Sequence, residues 1–324
     1  MQIAWGYAPT LIVAAAVRHG LFDRLATGPL SVPALAHATG ASERGVRILL
    51  NALVGLGLLD RTGDSFALTP ESDLYLVSGR SEFRGSFFHH HADQLLPQWM
   101  HLAEVVQTGQ PVRSTNAERS GCEHFAGFVE SLFPGGYPAA RALGEHLSIP
   151  RLQRPFKVLD LGAGSGVWGI ALAEQSSFVR VCAVDWPAVL EVTRRVAARR
   201  GVGDRLEEVA GDLFVADFGT GYDLATLGHI LHSESAGRNR QLLRKAYQAL
   251  APGGVVAIQE FVADDDRRGP VQALIFAVNK LVNTDAGDTY TGSEMCEWLR
   301  EAGFQEPRRL EVPGPSPLIL ATKS

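Results

Sequence analysis

Residues 157–166 read KVLDLGAGSG, and this stretch decides how the chain folds. It begins with a short apolar run, which is typical of a strand that is buried on both faces. Gly162, Gly164 and Gly166 then alternate with small residues, and an apolar helix is expected over 167–173. Glycine allows a tight turn and lets backbone N–H groups approach a ligand closely. The stretch therefore predicts a strand, a glycine turn and a helix whose N-terminus can hold a ligand.

An acidic residue, Asp185, ends the next predicted strand, Val179–Val184. It follows the glycines by about 20 residues, where a carboxylate can bind ribose hydroxyls. The glycines are spaced G-x-G-x-G rather than G-x-G-x-x-G, and Asp160, just before the turn, would repel a pyrophosphate but could help to hold a cation. A ligand with a ribose, a positive charge and no phosphate fits S-adenosylmethionine (SAM) better than a nicotinamide dinucleotide. A glycine turn that binds no cofactor is the alternative.

Length and composition indicate a globular chain with two domains. The chain has 324 residues, of which 46% are hydrophobic and 20% charged. Its net charge of −5 provides no basic surface for nucleic acid or for an anionic membrane. The three cysteines are far apart, which argues against a disulfide framework and favours reduced thiols in the cytoplasm. The apolar run Ala8–Val17 is too short to cross a bilayer.

The N-terminal region, residues 1 to 80, predicts a winged-helix unit. The expected elements are helices over Thr10–Leu25, Ser31–Ala38 and Ser42–Leu56, and a hairpin over Leu59–Leu68. This region has six arginines, no lysine and six acidic residues, so it lacks the excess positive charge that DNA binding requires. A charge-balanced, apolar helical unit instead favours a subunit interface.

The region from residue 82 to residue 149 predicts broken helices, with interruptions at Pro97, at Gly109–Pro111 and at Pro134–Gly136. Aromatic side chains are frequent in it, namely Phe87, Phe88, Trp99, Phe125, Phe128, Phe133 and Tyr137. They could line a pocket for a flat acceptor or form ordinary core, and the sequence leaves both open.

From Phe156 onward, predicted strands and helices alternate. The strands are Lys157–Leu161, Val179–Val184, Leu206–Val209, Asp223–Leu227, Val255–Phe261, Arg308–Val312 and Leu318–Thr322. The helices between them are Val167–Ala173, Pro187–Arg199, Arg238–Ala251, Val271–Leu281 and Ser293–Ala302. This alternation predicts the α/β class, with a doubly wound, Rossmann-like sheet.

Five ordered motifs carry a family resemblance. They read VLDLGAGSG at 158–166, AVDWP at 183–187, GDLF at 211–214, LGHILHSES at 227–235 and LAPGGVVAIQEF at 250–261. With them the chain resembles, over almost its whole length, the SAM-dependent O-methyltransferases of small molecules, which include plant caffeate and flavonoid enzymes and bacterial enzymes of polyketide and phenazine synthesis. The resemblance implies a winged-helix dimerisation domain over residues 1–100, a helical linker lining the acceptor pocket over 101–150, and a SAM-binding methyltransferase domain over 151–324.

The resemblance also implies a cofactor site. The residues expected to bind SAM, and its product S-adenosylhomocysteine, are Asp160, Gly162, Gly164, Gly166, Asp185, Trp186, Asp212, Leu213 and Phe214. The glycines would cradle the methionine part, Asp185 would accept from the ribose hydroxyls and Asp212 from the adenine amino group. Leu213 and Phe214 would lie against the adenine ring.

The catalytic residues implied by the resemblance are His232 as general base and Glu260 as the carboxylate that orients it. His229, three residues earlier, is the rival for the base. His229 and Phe133 are further candidates for contact with the acceptor. No catalytic metal is expected, because the sequence shows no clustered Asp/Asn constellation.

The sequence departs from the family pattern at three places. Ser233-Glu234 stands where Asp-Trp is usual, Gly228 replaces a lysine of plant members, and Thr289 or a neighbour replaces a second glutamate. These departures leave open C- or N-methyl transfer and a SAM-binding enzyme that hydroxylates or rearranges its substrate. A transcriptional regulator is disfavoured by the neutral winged helix. The partners expected are a small-molecule acceptor and a second copy of the chain, without nucleic acid or membrane.

Overall fold

A computed structural model describes residues 3–324, which form two compact units. The first unit ends at Pro97 and the second begins at Gln98. The first contains helices α1 Ala8–Arg18, α2 Leu21–Leu25, α3 Val32–Thr39, α4 Glu43–Gly55, α5 Pro70–Leu76 and α6 Gly85–His90, and strands β1 Leu30–Ser31, β2 Leu59–Thr62 and β3 Ser65–Leu68. A π-helical turn, His91–Leu95, follows and leads into the short helix α7, Leu96–Trp99.

The first unit has the predicted hairpin and two of the three predicted helices. Strands β2 and β3 pair in antiparallel fashion, and β1 adds to the other edge of β3. Ser42 caps α4, since its hydroxyl accepts the N–H of Gly45 at 3.1 Å. The prediction of one helix over Thr10–Leu25 is wrong, because Gly20 adopts a left-handed φ of 64° and separates α1 from α2.

The second unit contains the remaining elements. Its helices are α8 Leu102–Thr108, α9 Glu118–Phe125, α10 Phe133–His146, α11 Val167–Ala173, α12 Pro187–Arg199, α13 Ala236–Ala249, α14 Val271–Asn283 and α15 Gly292–Glu301. Its strands are β4 Phe156–Leu161, β5 Val179–Asp185, β6 Leu206–Ala210, β7 Tyr222–Gly228, β8 Leu250–Gln259, β9 Phe304–Leu310 and β10 Leu318–Lys323.

Most second-unit predictions agree with these bounds to within a few residues. Two differ for a physical reason. Pro134 does not interrupt a helix but lies in the first turn of α10, where its missing N–H has no intrahelical partner to lose. Strand β8 begins at Leu250 rather than Val255, because Leu250 pairs with Tyr222 of β7 before a shift in register.

The second unit is built on one seven-stranded sheet with the order β6-β5-β4-β7-β8-β10-β9. Strands β4 to β8 pair in parallel, and β10 pairs in antiparallel fashion with both β8 and β9. The predicted doubly wound sheet is confirmed. The chain runs from β4 to β5 on one side and returns to β7 on the other, so the carboxyl ends of these strands border the crevice where open α/β sheets bind ligands.

Both faces of the sheet are covered by helices. Leu159 and Leu161 of β4 are fully buried with side chains of α13 and α15. Val158, which points to the opposite face, is buried with side chains of α10, α11 and α12. None of the helices in the described part of the chain is long and apolar enough to cross a membrane.

The division into three segments at residues 100 and 150 stays a prediction. In the structure residues 101–150 belong to the second unit, whose first residue is Gln98.

A carboxylate lies in the middle of this sheet. Asp160 is 1% exposed; its Oδ1 accepts from the Thr226 hydroxyl at 2.8 Å and its Oδ2 from the Gly169 N–H at 3.0 Å. Burial raises the pKa of Asp160 to about 7, against the opposing effect of these two hydrogen bonds. Asp160 therefore ties β4 to β7 and to α11, and both of its oxygens have protein partners. Its predicted contact with a cofactor stays a prediction.

We expect Asp160→Asn to change how stability depends on pH. A carboxyl whose pKa is raised in the folded state contributes stability that is present at low pH and lost as pH rises through about 7. Asparagine does not ionise; its Oδ1 can accept the Gly169 N–H, and its Nδ2 can donate to the Thr226 hydroxyl. The difference in the free energy of unfolding, variant minus wild type, should therefore rise by roughly 2–4 kcal/mol from acidic pH to pH above 7. Urea unfolding across this range measures the difference, and a difference that does not vary with pH would contradict the raised pKa.

Candidate active site

The glycine turn follows β4 at the carboxyl edge of the sheet. Gly162 has a left-handed φ of 66°, and a Cβ placed on it would lie 2.2 Å from Cδ1 of Ile230. Gly166, with φ of 77°, precedes α11, and its carbonyl accepts the N–H of Ile170. Both positions require glycine, since a side chain would be strained at either one and would also clash, at Gly162 with Ile230 and at Gly166 with Thr193. The glycines thus let the side chain of Ile230, from the turn after β7, pack directly on the turn after β4.

The carboxylate of Asp185 lies next to this turn. Its Oδ2 accepts from the Gly164 N–H at 2.9 Å, and its Oδ1 accepts from the Trp186 N–H at 2.7 Å. Burial raises the pKa of Asp185 to about 6, although both N–H donors act in the opposite direction. The structure therefore brings together the two sequence features, the glycine turn and the acidic end of β5, on which the prediction of a ribose site depends.

Trp186 forms a wall beside Asp185. A Cβ on Gly121 of α9 would lie 1.9 Å from Cζ3 of the indole, and the ring of Phe125 lies 6.1 Å away between centroids. Helix α9 can therefore lie against Trp186 only because residue 121 has no side chain.

The GDLF motif follows β6 and is held by cationic side chains. Oδ1 of Asp212 accepts from the Phe214 N–H at 2.7 Å, and the carbonyl of Leu213 accepts from Nζ of Lys245 at 2.7 Å. The guanidinium of Arg238 lies 3.6 Å from the centroid of the Phe214 ring. One face of this ring is thus covered by Arg238.

His232 and Glu260 meet at the ends of the neighbouring strands β7 and β8. His232 lies in a 3-10 turn, Leu231–Ser233, and Glu260 directly follows β8. Nδ1 of His232 is 2.7 Å from Oε2 of Glu260, and the His232 backbone N–H donates to Oε1 at 3.2 Å. The residues are 6% and 3% exposed. Two hydrogen bonds therefore fix the imidazole and its backbone on one carboxylate.

The electrostatics of this pair determine its protonation. Burial lowers the pKa of His232 to about 4, and outweighs the opposing effect of Glu260. The pKa of Glu260 is held well below its usual range by His232, even though burial alone would raise it. At neutral pH the imidazole is therefore neutral and the carboxylate ionised, with the Nδ1–H donated to Glu260. Nε2 of His232 makes no hydrogen bond within residues 3–324, so its lone pair can accept a proton.

The turn that carries His232 is held by Asn116, Tyr290 and Arg238, which contact Ser233 and Glu234. Nδ2 of Asn116 donates to the Ser233 carbonyl at 2.7 Å, and the Tyr290 hydroxyl donates to the Glu234 carbonyl at 2.5 Å. The Glu234 side chain pairs with Arg238 at 2.5 Å. Contacts to Ser233 and Glu234 therefore fix the position of the turn.

His229 is close to the pair but less engaged with it. Its Nδ1 lies 3.8 Å from Oε2 of Glu260, which is beyond hydrogen-bond distance, and its side chain is 34% exposed. Its backbone has a left-handed φ of 59°. Ligand atoms of His229, His232 and Glu260 all lie within 4.8 Å of one another, a spacing that a metal ion could use. Both Glu260 oxygens already accept hydrogen bonds, and the expectation of no catalytic metal stays a prediction.

Two of the predicted positions, Phe133 and Thr289, are buried in the core. Phe133 is 3% exposed and lies in the core, stacked on Tyr137 with centroids 5.5 Å apart and with the guanidinium of Arg200 4.6 Å from its ring centroid. The contact of Phe133 with an acceptor stays a prediction. The hydroxyl of Thr289 donates to the Ala273 carbonyl at 3.2 Å, and a second partner of the base at Thr289 or a neighbour stays a prediction.

Sequence reasoning missed three residues near His232. The ring of Phe276 meets the imidazole edge-on with centroids 4.8 Å apart, and Phe261 lies 4.3 Å from Phe276. Lys280 is 6% exposed on the same helix, α14. A lone lysine in the apolar stretch ALIFAVNKLV, residues 273–282, was the signal that could have identified this helix.

Comparisons with known proteins agree with this geometry. An O-methyltransferase dimerisation domain matches residues 1–78, and an O-methyltransferase domain matches residues 143–305. The 3-hydroxy-5-methyl-1-naphthoate 3-O-methyltransferase of Streptomyces sahachiroi is 32% identical, over 100% of this chain and 94% of its own. The tetracenomycin polyketide synthesis 8-O-methyl transferase of Streptomyces glaucescens is 29% identical, over 100% and 96%.

A solved structure shows the same fold with the cofactor bound. Human N-acetylserotonin methyltransferase in complex with SAM superposes with a TM-score of 0.87 at 25% identity, over 100% of this chain and 96% of that one. The glycine turn, the acidic end of β5 and the family models thus agree. The chain belongs to the O-methyltransferase family and is a SAM-dependent O-methyltransferase.

Proposed function

We propose that this enzyme methylates a hydroxyl of a small aromatic or polyketide-like acceptor, with His232 as the general base. The observation that carries the proposal is the 2.7 Å hydrogen bond between Nδ1 of His232 and Oε2 of Glu260 at the crevice edge of the sheet. The acceptor class is supported by the relatives, whose names specify a hydroxynaphthoate and tetracenomycin polyketide synthesis. The aromatic rings beside His232 support it independently.

We assign the cofactor to the carboxyl ends of β4, β5 and β6. The turn at 162–166 would hold the methionine part through backbone N–H groups, and Asp185 would accept from the ribose hydroxyls. Asp212 would accept from the adenine amino group, with Trp186 and the Leu213–Phe214 pair beside the ring. The fit is supported by the left-handed glycine turn after β4 and by the Asp185 carboxylate, which accepts the N–H of Gly164 in that turn.

The chain's own task is to position the acceptor and to take its proton. SAM supplies a methyl group on a sulfonium, whose leaving thioether is neutral. Nε2 of His232 accepts the proton of the acceptor hydroxyl, while Nδ1–H stays bonded to Glu260. The ionised Glu260 stabilises the imidazolium that forms, as a buried carboxylate does in other His–carboxylate pairs.

The walls around His232 favour a flat acceptor. The ring of Phe276 lies edge-on to the imidazole, and Phe261 lies within 4.8 Å of His229 and 4.3 Å of Phe276 between centroids. Aromatic side chains offer an apolar surface and exclude water from a proton transfer. A planar aromatic ring would fit against them with its hydroxyl towards Nε2.

Asp185→Ala should weaken SAM binding. The variant loses the charge-assisted hydrogen bonds to the ribose, and we expect a loss of about 2–3 kcal/mol measured by calorimetry. Asp204→Ala, which removes an exposed carboxylate on the loop before β6, is the matched control and should bind SAM as wild type does. Unchanged SAM affinity in Asp185→Ala would refute the assignment of the ribose site.

His232→Ala should lower kcat by about 10²–10⁴, the usual effect of removing a positioned base, with little change in SAM affinity. Glu260→Gln should lower kcat less, because the imidazole remains but loses its ionised partner. Since burial lowers the pKa of His232 to about 4, wild-type kcat should stay insensitive to His232 protonation at neutral pH and fall only as pH approaches that value.

His229→Ala is the matched control for the base. If His229→Ala abolishes turnover while His232→Ala retains a near-wild-type kcat, the base is His229. If neither variant loses activity, the acceptor arrives already ionised and the enzyme acts by positioning alone.

We further propose that the first unit forms a homodimer interface. Large apolar side chains are exposed on it, namely Ile3, Trp5, Tyr7, Ile48, Leu56, Leu74 and Tyr75. Trp5 and Tyr7, 61% and 50% exposed, stack on each other with centroids 6.2 Å apart. Exposed apolar surface of this kind marks an association site, and the match to a dimerisation domain covers the same residues.

Light scattering of the full-length protein tests the interface. Wild type should be a dimer at micromolar concentration, and Trp5→Ser/Tyr7→Ser should shift it towards monomer because the apolar contact is lost. Phe178→Ser, which changes a 41% exposed aromatic residue of the second unit, should leave the dimer intact. A stable and active wild-type monomer would contradict the proposal.

A further inference from the structure

A buried ammonium group lies beside the catalytic pair. Lys280 is 6% exposed, and its Nζ lies 4.8 Å from the centroid of the Phe276 ring, one helical turn earlier in α14. The imidazole of His232 meets the same ring at 4.8 Å between centroids, with an angle of 80° between the planes. The ammonium and the base are therefore placed around one phenyl ring.

This ammonium lacks the partners that the other partly buried lysines have. Nζ of Lys245 donates to the carbonyls of Leu213 and Ala216, and Nζ of Lys323 donates to those of Tyr247 and Leu250. Nζ of Lys280 donates no hydrogen bond to any residue that the structure describes. It contacts the ring of Phe276 instead. Burying an ammonium without an acceptor is costly, and a cation–π contact offsets only a small part of that cost.

The charges around Lys280 do not neutralise it. Glu260 is the anion that acts on Lys280, but its Oε1 and Oε2 both accept from His232. Burial lowers the pKa of His232 and of His124 to about 4 each, and the charge of Lys280 adds to this effect. Both imidazole rings are therefore neutral at neutral pH. Burial lowers the pKa of Lys280 itself to about 8, which leaves it largely protonated at neutral pH. A charged donor therefore remains available beside the base.

We propose that Lys280 binds a carboxylate on the acceptor, so that the preferred substrates are hydroxyaryl carboxylates. The inference rests on the proposed function, because it places the acceptor beside His232. An anionic group would satisfy the buried ammonium, whereas a neutral phenol would not. With the carboxylate on Lys280, the acceptor hydroxyl is directed to Nε2 of His232. Aromatic side chains alone cannot determine which end of a flat acceptor faces His232, whereas a charged group that binds one end can.

A structural role for Lys280 predicts a different outcome. If Lys280 serves only as a distant counter-ion of Glu260, its loss should affect charged and neutral acceptors alike. A comparison between acceptors that differ only in charge separates the two roles.

The experiment measures equilibrium binding of hydroxynaphthoates, each paired with its own carboxamide, to full-length enzyme loaded with S-adenosylhomocysteine at neutral pH. Wild type should bind at least one carboxylate about 10- to 100-fold more tightly than its amide. Lys280→Met keeps the length of the side chain without its charge and should bring this ratio close to one. Lys280→Arg should retain part of the preference. Lys157→Met, which changes an exposed lysine of β4, should retain all of it.

Three results would overturn the inference: no wild-type preference for any carboxylate, a preference that survives in Lys280→Met, or an equal loss for carboxylate and amide in that variant. Methyl transfer to the same compounds separates this inference from the proposed function. Turnover without charge preference leaves the function standing and removes the anion site. A charge preference that depends on Lys280, without turnover of any compound, leaves the anion site and contradicts aromatic O-methylation.

Discussion

The parallel pairing of β4 with β5 on one side and with β7 on the other is the constraint on which the active site depends. It brings the glycine turn after β4, the carboxylate of Asp185 and the turn that carries His232 to the same edge of the sheet. The buried Asp160 carboxylate strengthens this arrangement, since it bonds to Thr226 of β7 and to the N–H of Gly169 in α11. The glycine turn and the turn that carries His232 are thus held by one strand and its neighbours.

Acidic groups are buried both within the sheet and at its carboxyl edge. Burial raises the pKa of Asp160, in the middle of the sheet, and of Asp185, at the edge, whereas His232 holds the pKa of Glu260 low. A carboxyl group that is costly to ionise when buried at a binding site favours a ligand that brings positive charge. The same physics, with opposite sign, applies to Lys280, whose buried ammonium favours an anionic group on the acceptor.

The departure from the family pattern at Ser233-Glu234 has a structural account. Glu234, in place of the usual tryptophan, pairs with Arg238, and its carbonyl accepts the Tyr290 hydroxyl. Asn116 donates to the carbonyl of Ser233. The turn is therefore held by polar contacts, and its function, to present Nε2 of His232 to the crevice, does not require the residues that the family usually has there.

The sequence pattern alone determined the α/β order and the glycine turn followed by Asp185, because each depends on local pattern, whereas the pairing of His232 with Glu260 was implied by the family resemblance. Only the tertiary structure decided what depends on residues far apart in sequence. Gly20 separates α1 from α2, although the apolar pattern of the sequence continues through it. Phe133 is buried in the core, with the guanidinium of Arg200 over its ring. Lys280 and His232 both lie against the ring of Phe276 because α14 packs beside the turn after β7, a contact between segments that are some fifty residues apart. Hydrophobic periodicity specifies which face of an element is buried, but not which partner that face will meet.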